Sequence, residues 1–244
     1  MLRIQIIGLA LVSALLMSAV AAGSASAETE LKHQWLLVHT QSGIHLLLAS
    51  PLLVESEGLV LLTDKKVGIF HNQSVTVHCH GYDLGTVGPH GLDLVKSITL
   101  EPLGTKPLVL CLYNPAPPSG TCDPTKMPDA EAVNLPWHTQ LVLRGGILYD
   151  LVVGHGGGRP GWRVTCINAA GGTTVDTCTE ETGKPASLEI TNEVNGSGVL
   201  GTFNAATNPR AECSEGGAES GEVSGTVLTQ SPSSTLILLV SPLD

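Results

Sequence analysis

Residues 75–111 read VTVHCHGYDLGTVGPHGLDLVKSITLEPLGTKPLVLC. Side chains alternate along a strand, so Val75, Val77 and Cys79 share one face and Thr76, His78 and His80 the other. Gly81, Gly85, Gly88 and Gly91 read as turns, which gives strand, turn, strand, turn, strand. A related phrase returns near the C-terminus. Cys79-His-Gly-Tyr-Asp-Leu-Gly-Thr-Val-Gly is echoed by Cys213-Ser-Glu-Gly-Gly-Ala-Glu-Ser-Gly-Glu-Val-Ser-Gly. Trp162, Val164 and Cys166 also repeat the spacing of Val75, Val77 and Cys79. The echo fits an internal duplication, or a chance likeness between glycine-rich turns that follow a cysteine strand.

Upstream, residues 34–39 and 44–49 read as strands around Gln41-Ser42-Gly43. Residues 52–54 and 58–62 follow, separated by a charged turn at Glu55-Ser56-Glu57. Asp64-Lys65-Lys66 is a polar turn before residues 67–70. Such short apolar runs between turn residues are the pattern of an all-β chain. Downstream, residues 114–136 are rich in proline, which breaks strand pairing, and read as a linker or a loop pinned by Cys122. Within them residues 129–133 suit one helical turn.

Residues 140–144 and 147–153 flank Gly145-Gly146 as a hairpin. The strand from Cys166 returns through Gly171-Gly172 to Val175 and Cys178. Residues 187–194 and 198–203 form a hairpin around Asn195-Gly196-Ser197. Residues 226–230 and 235–241 close the chain. The organisation expected is therefore a β-rich half at 28–113, the proline-rich segment at 114–136 and a second β-rich half at 137–244.

Residues 1–27 read as a signal peptide, with Arg3, an apolar run at 4–20 and a small-residue cleavage site at Ala25-Ser26-Ala27. A secreted protein is expected, with no membrane span after cleavage, because residues 236–240 are too short to cross. The chain has 12 basic and 22 acidic residues and a formal net charge of −10. Without a basic patch, nucleic acid and anionic membranes are excluded as partners. Aromatic residues make up only 3%, so the core must be built from Val, Leu and Ile.

All six cysteines, Cys79, Cys111, Cys122, Cys166, Cys178 and Cys213, lie beyond the signal. An even count in an exported chain predicts disulfides. Three precede Trp137 and three follow it, so full oxidation needs at least one bridge between the halves. One reading closes local loops with Cys111–Cys122 and Cys166–Cys178 and joins the echoing segments through Cys79–Cys213. The alternative is Cys79–Cys111 closing the central meander.

Chemistry-bearing residues are few. His78 and His80 lie two apart on a strand and present both imidazoles on one side, as a Zn²⁺ or Cu²⁺ site requires. Further ligands would have to come from residues such as His45, His71 or His90. His155-Gly156-Gly157-Gly158 has the form of an oxyanion loop, but the chain has no G-x-S-x-G nucleophile, and a hairpin tip explains it better. Glu55 with Glu57, and Glu180 with Glu181, read as solvated surface rather than catalytic pairs. Asn72-Gln73-Ser74 and Asn195-Gly196-Ser197 match the glycosylation acceptor. Trp35, Trp137 and Trp162 read as core anchors. No catalytic residue and no cofactor is assigned.

The spacings Cys79-x-Gly81, Gly85-Thr-Val-Gly88-Pro, Ser97-Ile98-Thr99, Asn134-Leu-Pro-Trp137, Pro160-Gly-Trp162-x-Val-x-Cys166 and Asp176-Thr-Cys178 resemble a group of uncharacterised secreted actinobacterial proteins. The likeness runs from Trp35 to Gly225. It implies a bacterial, extracytoplasmic setting in which the glycosylation sequons are irrelevant. It brings no activity and no catalytic residues. Residues 114–120 are longer and richer in proline than in that group. The expectation is an all-β, antiparallel sandwich or barrel-like fold stapled by disulfides. Its function is expected to be non-catalytic, binding an extracellular or cell-envelope ligand. The alternative is a metal-binding protein or metal-dependent enzyme using His78 and His80.

Overall fold

The computed structural model describes residues 34–39, 45–48, 50–67, 73–101, 111–113, 122–168, 170–193, 197–233 and 236–241. Residues 1–27, read above as a signal peptide, His71 and the proline-rich residues 114–121 lie outside these. The strands are β1 (Trp35–His39), β2 (His45–Leu47), β3 (Leu52–Val67), β4 (Gln73–Val87), β5 (Leu92–Glu101), β6 (Leu112–Tyr113), β7 (Asp129–Val133) and β8 (Trp137–Arg144). They continue with β9 (Ile147–Gly154), β10 (Gly161–Ile167), β11 (Thr173–Glu180), β12 (Ser187–Asn192), β13 (Val199–Phe203), β14 (Ala211–Cys213), β15 (Gly217–Gln230) and β16 (Leu236–Val240). A 3₁₀ turn, Pro89–Gly91, joins β4 to β5.

Eight strands close an antiparallel barrel in the order β3, β4, β5, β8, β9, β12, β13, β15 and back to β3. Of the two architectures the sequence allows, this is the barrel. Closure removes both sheet edges, which would otherwise expose unpaired backbone groups. Four further strands close a second ring. β7, β10, β11 and β14 run from β5, through the pair Thr99–Glu131, to β15. The long strands β3, β4 and β15 pass through both rings. Strands from before and after the proline-rich segment therefore pair with each other, β5 with β8 and β3 with β15.

Length distinguishes these shared strands from the sequence reading. Glu55-Ser56-Glu57 and Asp64-Lys65-Lys66 are not turns, because β3 runs straight through both. Its inward positions are Val54, Ser56, Val60, Leu62 and Asp64, all buried, and they keep strict alternation. Gly81 and Gly85 are likewise inside β4 rather than in turns. A glycine in a strand often marks a close backbone approach, and the β3–β15 contact shows why. A Cβ on Gly58 would stand 1.9 Å from the Thr226 carbonyl oxygen, and Gly225 has φ +134°. Residues 129–133 form β7, paired to β10, and not a helical turn. The Gly145-Gly146 hairpin is present, both glycines having positive φ, as a tight hairpin turn needs.

Two cores fill the rings. One contains Trp35, Val54, Val87, Leu141, Leu148, Val199 and Leu238. The three-stranded sheet β16–β1–β2 plugs this end. Asn192 on β12 ties the plug down, donating from Nδ2 to the Val240 carbonyl and accepting from the Val240 N–H at 2.8 Å. The other core contains Val60, Leu62, Val77, Trp162 and Val164 together with Cys79, Cys111, Cys178 and Cys213.

The three disulfides are Cys79–Cys111, Cys122–Cys166 and Cys178–Cys213. The local closures Cys111–Cys122 and Cys166–Cys178 do not form, and neither does Cys79–Cys213. Closure of the sheet decides this. Cys178 and Cys213 are register partners on β11 and β14, and Cys79 meets Cys111, which leads into β6 beside β4. Cys122–Cys166 is the bridge that crosses between the halves and pins the proline-rich segment. No helix among the described residues is long and apolar enough to cross a membrane.

Candidate functional site

Alternation on the barrel strands places polar residues inside as well as apolar ones. On β4 the inward side chains are Val77, Cys79, Asp83 and Val87. On β9 the inward face is Leu148, Asp150 and Val152, and on the neighbouring β8 it is Trp137, Thr139 and Leu141. These faces surround a cavity of 190 Å³ that lies between the two cores and takes walls from both. All three tryptophans of the chain line it, with Tyr82 and Phe203. Trp35 and Trp162 are buried, so they are core anchors as expected, and they are cavity walls as well.

A hydrogen-bonded chain crosses the plugged side of this cavity. Trp35 Nε1–H donates to Asp93 Oδ2 at 2.8 Å. The Gly88 N–H donates to Asp93 Oδ1 at 3.1 Å, and the Thr139 hydroxyl donates to Oδ2 at 3.2 Å. Thr139 also lies within hydrogen-bond reach of the Asp150 carboxyl. One hydroxyl carries one hydrogen. That single hydrogen serves either carboxyl, Asp93 Oδ2 or Asp150, with Thr139 as the donor in both cases. Its Oδ1 is buried without any partner. Asp150 is enclosed by protein, and the surface it keeps faces the cavity.

Burial dominates the electrostatics of these carboxyls, and for Asp150 it outweighs the hydrogen bond from Thr139. Burial, reinforced by the charges of Asp93 and Asp83, holds the Asp150 carboxyl well above the usual carboxylate range. Burial pushes Asp93 up to about 7 against the pull of its three donors. Asp83 is pushed up to about 6 by burial, opposed by a hydrogen bond from Ser56. Glu180, at the end of β11, also lines the cavity. Burial raises it to about 7, although it accepts a hydrogen bond from the Ala186 N–H at 2.7 Å. The sequence reading of Glu180 as solvated surface is thus corrected. Its neighbour Glu181 pairs with Lys184 instead.

The residues singled out from the sequence lie elsewhere. His78 and His80 project from the outer face of β4, as alternation predicts. His80 meets the exposed Glu57 at 3.0 Å. Among the described residues no group of three potential ligands contains either histidine. One group of three does occur, Asp176 with Cys178 and Cys213, but the two sulfurs are bonded to each other and are not thiolates. His155 in the glycine-rich loop contacts His138, Nδ1 to Nε2, at 2.8 Å. The described hydrogen bonds of that loop bring no serine to it.

Asp83, Asp93, Thr139 and Asp150 were not singled out from the sequence. A signal for two of them was present. Counting by two from Cys79 reaches Asp83, and Leu148-x-Asp150-x-Val152 sets a carboxyl in the centre of an apolar face. In comparisons with known proteins, no protein-family model, no curated protein and no solved structure matches this chain.

Proposed function

We propose that the protein is an extracytoplasmic binding protein that holds a small, mainly apolar molecule inside its barrel. The cavity carries this reading. Protein interiors are close-packed, and voids larger than a few waters are rare unless they serve a ligand. An apolar cavity of ~150 Å³ is enough to take up benzene. The 190 Å³ here suits a molecule of about one aromatic ring. Three disulfides with no free cysteine support an oxidising compartment. Buried carboxyls at one wall supply the few polar contacts by which such pockets fix orientation.

The test is direct titration of the oxidised protein with benzyl alcohol, followed by tryptophan fluorescence and thermal shift. Saturable binding is expected, lost in Val152→Phe, which places a ring in the cavity. Absence of binding by the unmodified protein, or undiminished binding by the filled variant, overturns the reading.

A further inference from the structure

The cavity has an unusual charge balance. Asp83, Asp93, Asp150 and Glu180 line it, and among the described residues no lysine, arginine or histidine does. Asp93, Asp83 and Glu180 each accept a hydrogen bond already described. Asp150 Oδ1 has none, although it is fully buried. A buried acceptor left without a donor is costly, so it marks a place where a donor is wanted. The walls around it are aromatic. Aromatic faces attract cations, and Trp does so best. The indole N–H groups of Trp35 and Trp137 are spent on Asp93 and on the Val133 carbonyl, which leaves these two rings their faces.

We propose that the cavity is the site of an organic ammonium ion, primary or secondary, carried on an apolar body of about one aromatic ring, with Asp150 as its hydrogen-bond acceptor. This rests on the reading of the cavity as a ligand site and names the class of ligand. Binding is coupled to a proton. The free protein holds a hydrogen on Asp150, kept there by burial beside Asp93 and Asp83, while Oδ1 stays without a donor. The ammonium arrives from solution already charged. The Asp150 O–H bond breaks, its proton leaves to solvent, and the carboxylate accepts the ammonium N–H. One positive charge enters and one leaves, so the buried site gains no net charge. The groups facing Asp150 are Thr139 on β8, Leu188 on β12, Asp93 on β5 and Asp83 on β4. Glu180 on β11 and Tyr82 on β4 face the same cavity. None of these is a cation that would compete with the ligand.

The experiment is isothermal titration of the oxidised protein at neutral pH with benzylamine, benzyl alcohol and benzyltrimethylammonium. Benzylamine is expected to bind about tenfold more tightly than benzyl alcohol, as a charge-assisted hydrogen bond implies. The quaternary ion, which has no N–H, is expected to bind more weakly than benzylamine. The benzylamine enthalpy is expected to change with the ionisation enthalpy of the buffer, by the amount for one released proton. Asp150→Asn is expected to lose the preference for the amine over the alcohol. Equal binding of amine and alcohol, or an amine preference that survives Asp150→Asn, overturns the ammonium assignment and leaves the cavity reading standing. Binding of none of the three overturns both. Where Asp150→Asn does not fold, the buffer series on the unmodified protein decides, and an enthalpy independent of buffer overturns the assignment.

Discussion

The two ends of this molecule are built from the same long strands and are held by different chemistry. At the bridged end Cys79–Cys111 and Cys178–Cys213 sit inside the core, beside Trp162 and Val77. The 190 Å³ cavity borders this core at Val60, Leu62, Trp162 and Cys178, and a smaller space of 30 Å³, room for a water or two, lies beside Cys122 and Cys166. At the plugged end no cysteine enters the core. Order comes from a separate sheet laid across the opening and from the run Trp35–Asp93–Thr139–Asp150. Covalent bridges tolerate tight packing and need no room. Buried carboxyls need donors, and where the protein supplies too few, a ligand can supply the rest. The bridges thus anchor one end of a continuous barrel, and the buried carboxyls run along the other side of the cavity between the two cores.

The largest effect expected from this contrast is on the bridges. Cys178–Cys213 closes a loop across 35 residues. Replacing both with serine is expected to cost about 4 kcal/mol, measured by denaturant unfolding, since cross-linking restricts the unfolded chain. A loss no greater than that of an ordinary surface substitution would remove the distinction between the ends.

Next in size is the dependence on pH. Asp83, Asp93, Asp150, Asp176 and Glu180 all hold their protons longer in the folded protein than an unfolded chain would. Unfolding therefore releases protons, and stability is full below the ordinary carboxylate range. It falls as pH rises from about 4 through about 7. Asp176 belongs to the bridged end and three of the others to the plugged end, so the slope alone does not tell them apart. Asp150→Asn does. It is expected to raise stability by about 1–3 kcal/mol at pH ~8, to change little at pH ~4, and to flatten the profile between. A profile unchanged by the substitution would show that the plugged end is not where the protons are held.

The smallest effect is expected on the outer face of β4. His80→Ala removes an exposed contact with Glu57 and is expected to shift stability by less than about 0.5 kcal/mol. A larger loss by the same unfolding assay would mean that the outside of the shared strands contributes to holding the rings together.

Much of this was legible in the chain. Alternation set Val77 and Cys79 inside and His78 and His80 outside, and short apolar runs between glycines announced an all-β body. The site was hidden by the same glycines. Gly81 read as a turn, so the count by two stopped before Asp83. Glu55-Ser56-Glu57 read as a turn because two charges flank a serine, yet both glutamates point outward and Ser56 faces in. A glycine where two strands approach and a glycine in a turn look identical until the neighbouring strand is known.

The amino-acid sequence by itself determined strand character and facing, because both depend on side chains two residues apart. It also determined that the cysteines would pair, because their number and setting demand it. The tertiary structure alone decided which cysteines pair and that the sheet closes into two rings sharing strands. It alone brought three tryptophans and four carboxyls from across the chain around one cavity. Those outcomes rest on contacts between residues far apart in the chain, such as Trp35 with Asp93, 58 positions on. Their register is fixed only when the whole barrel closes.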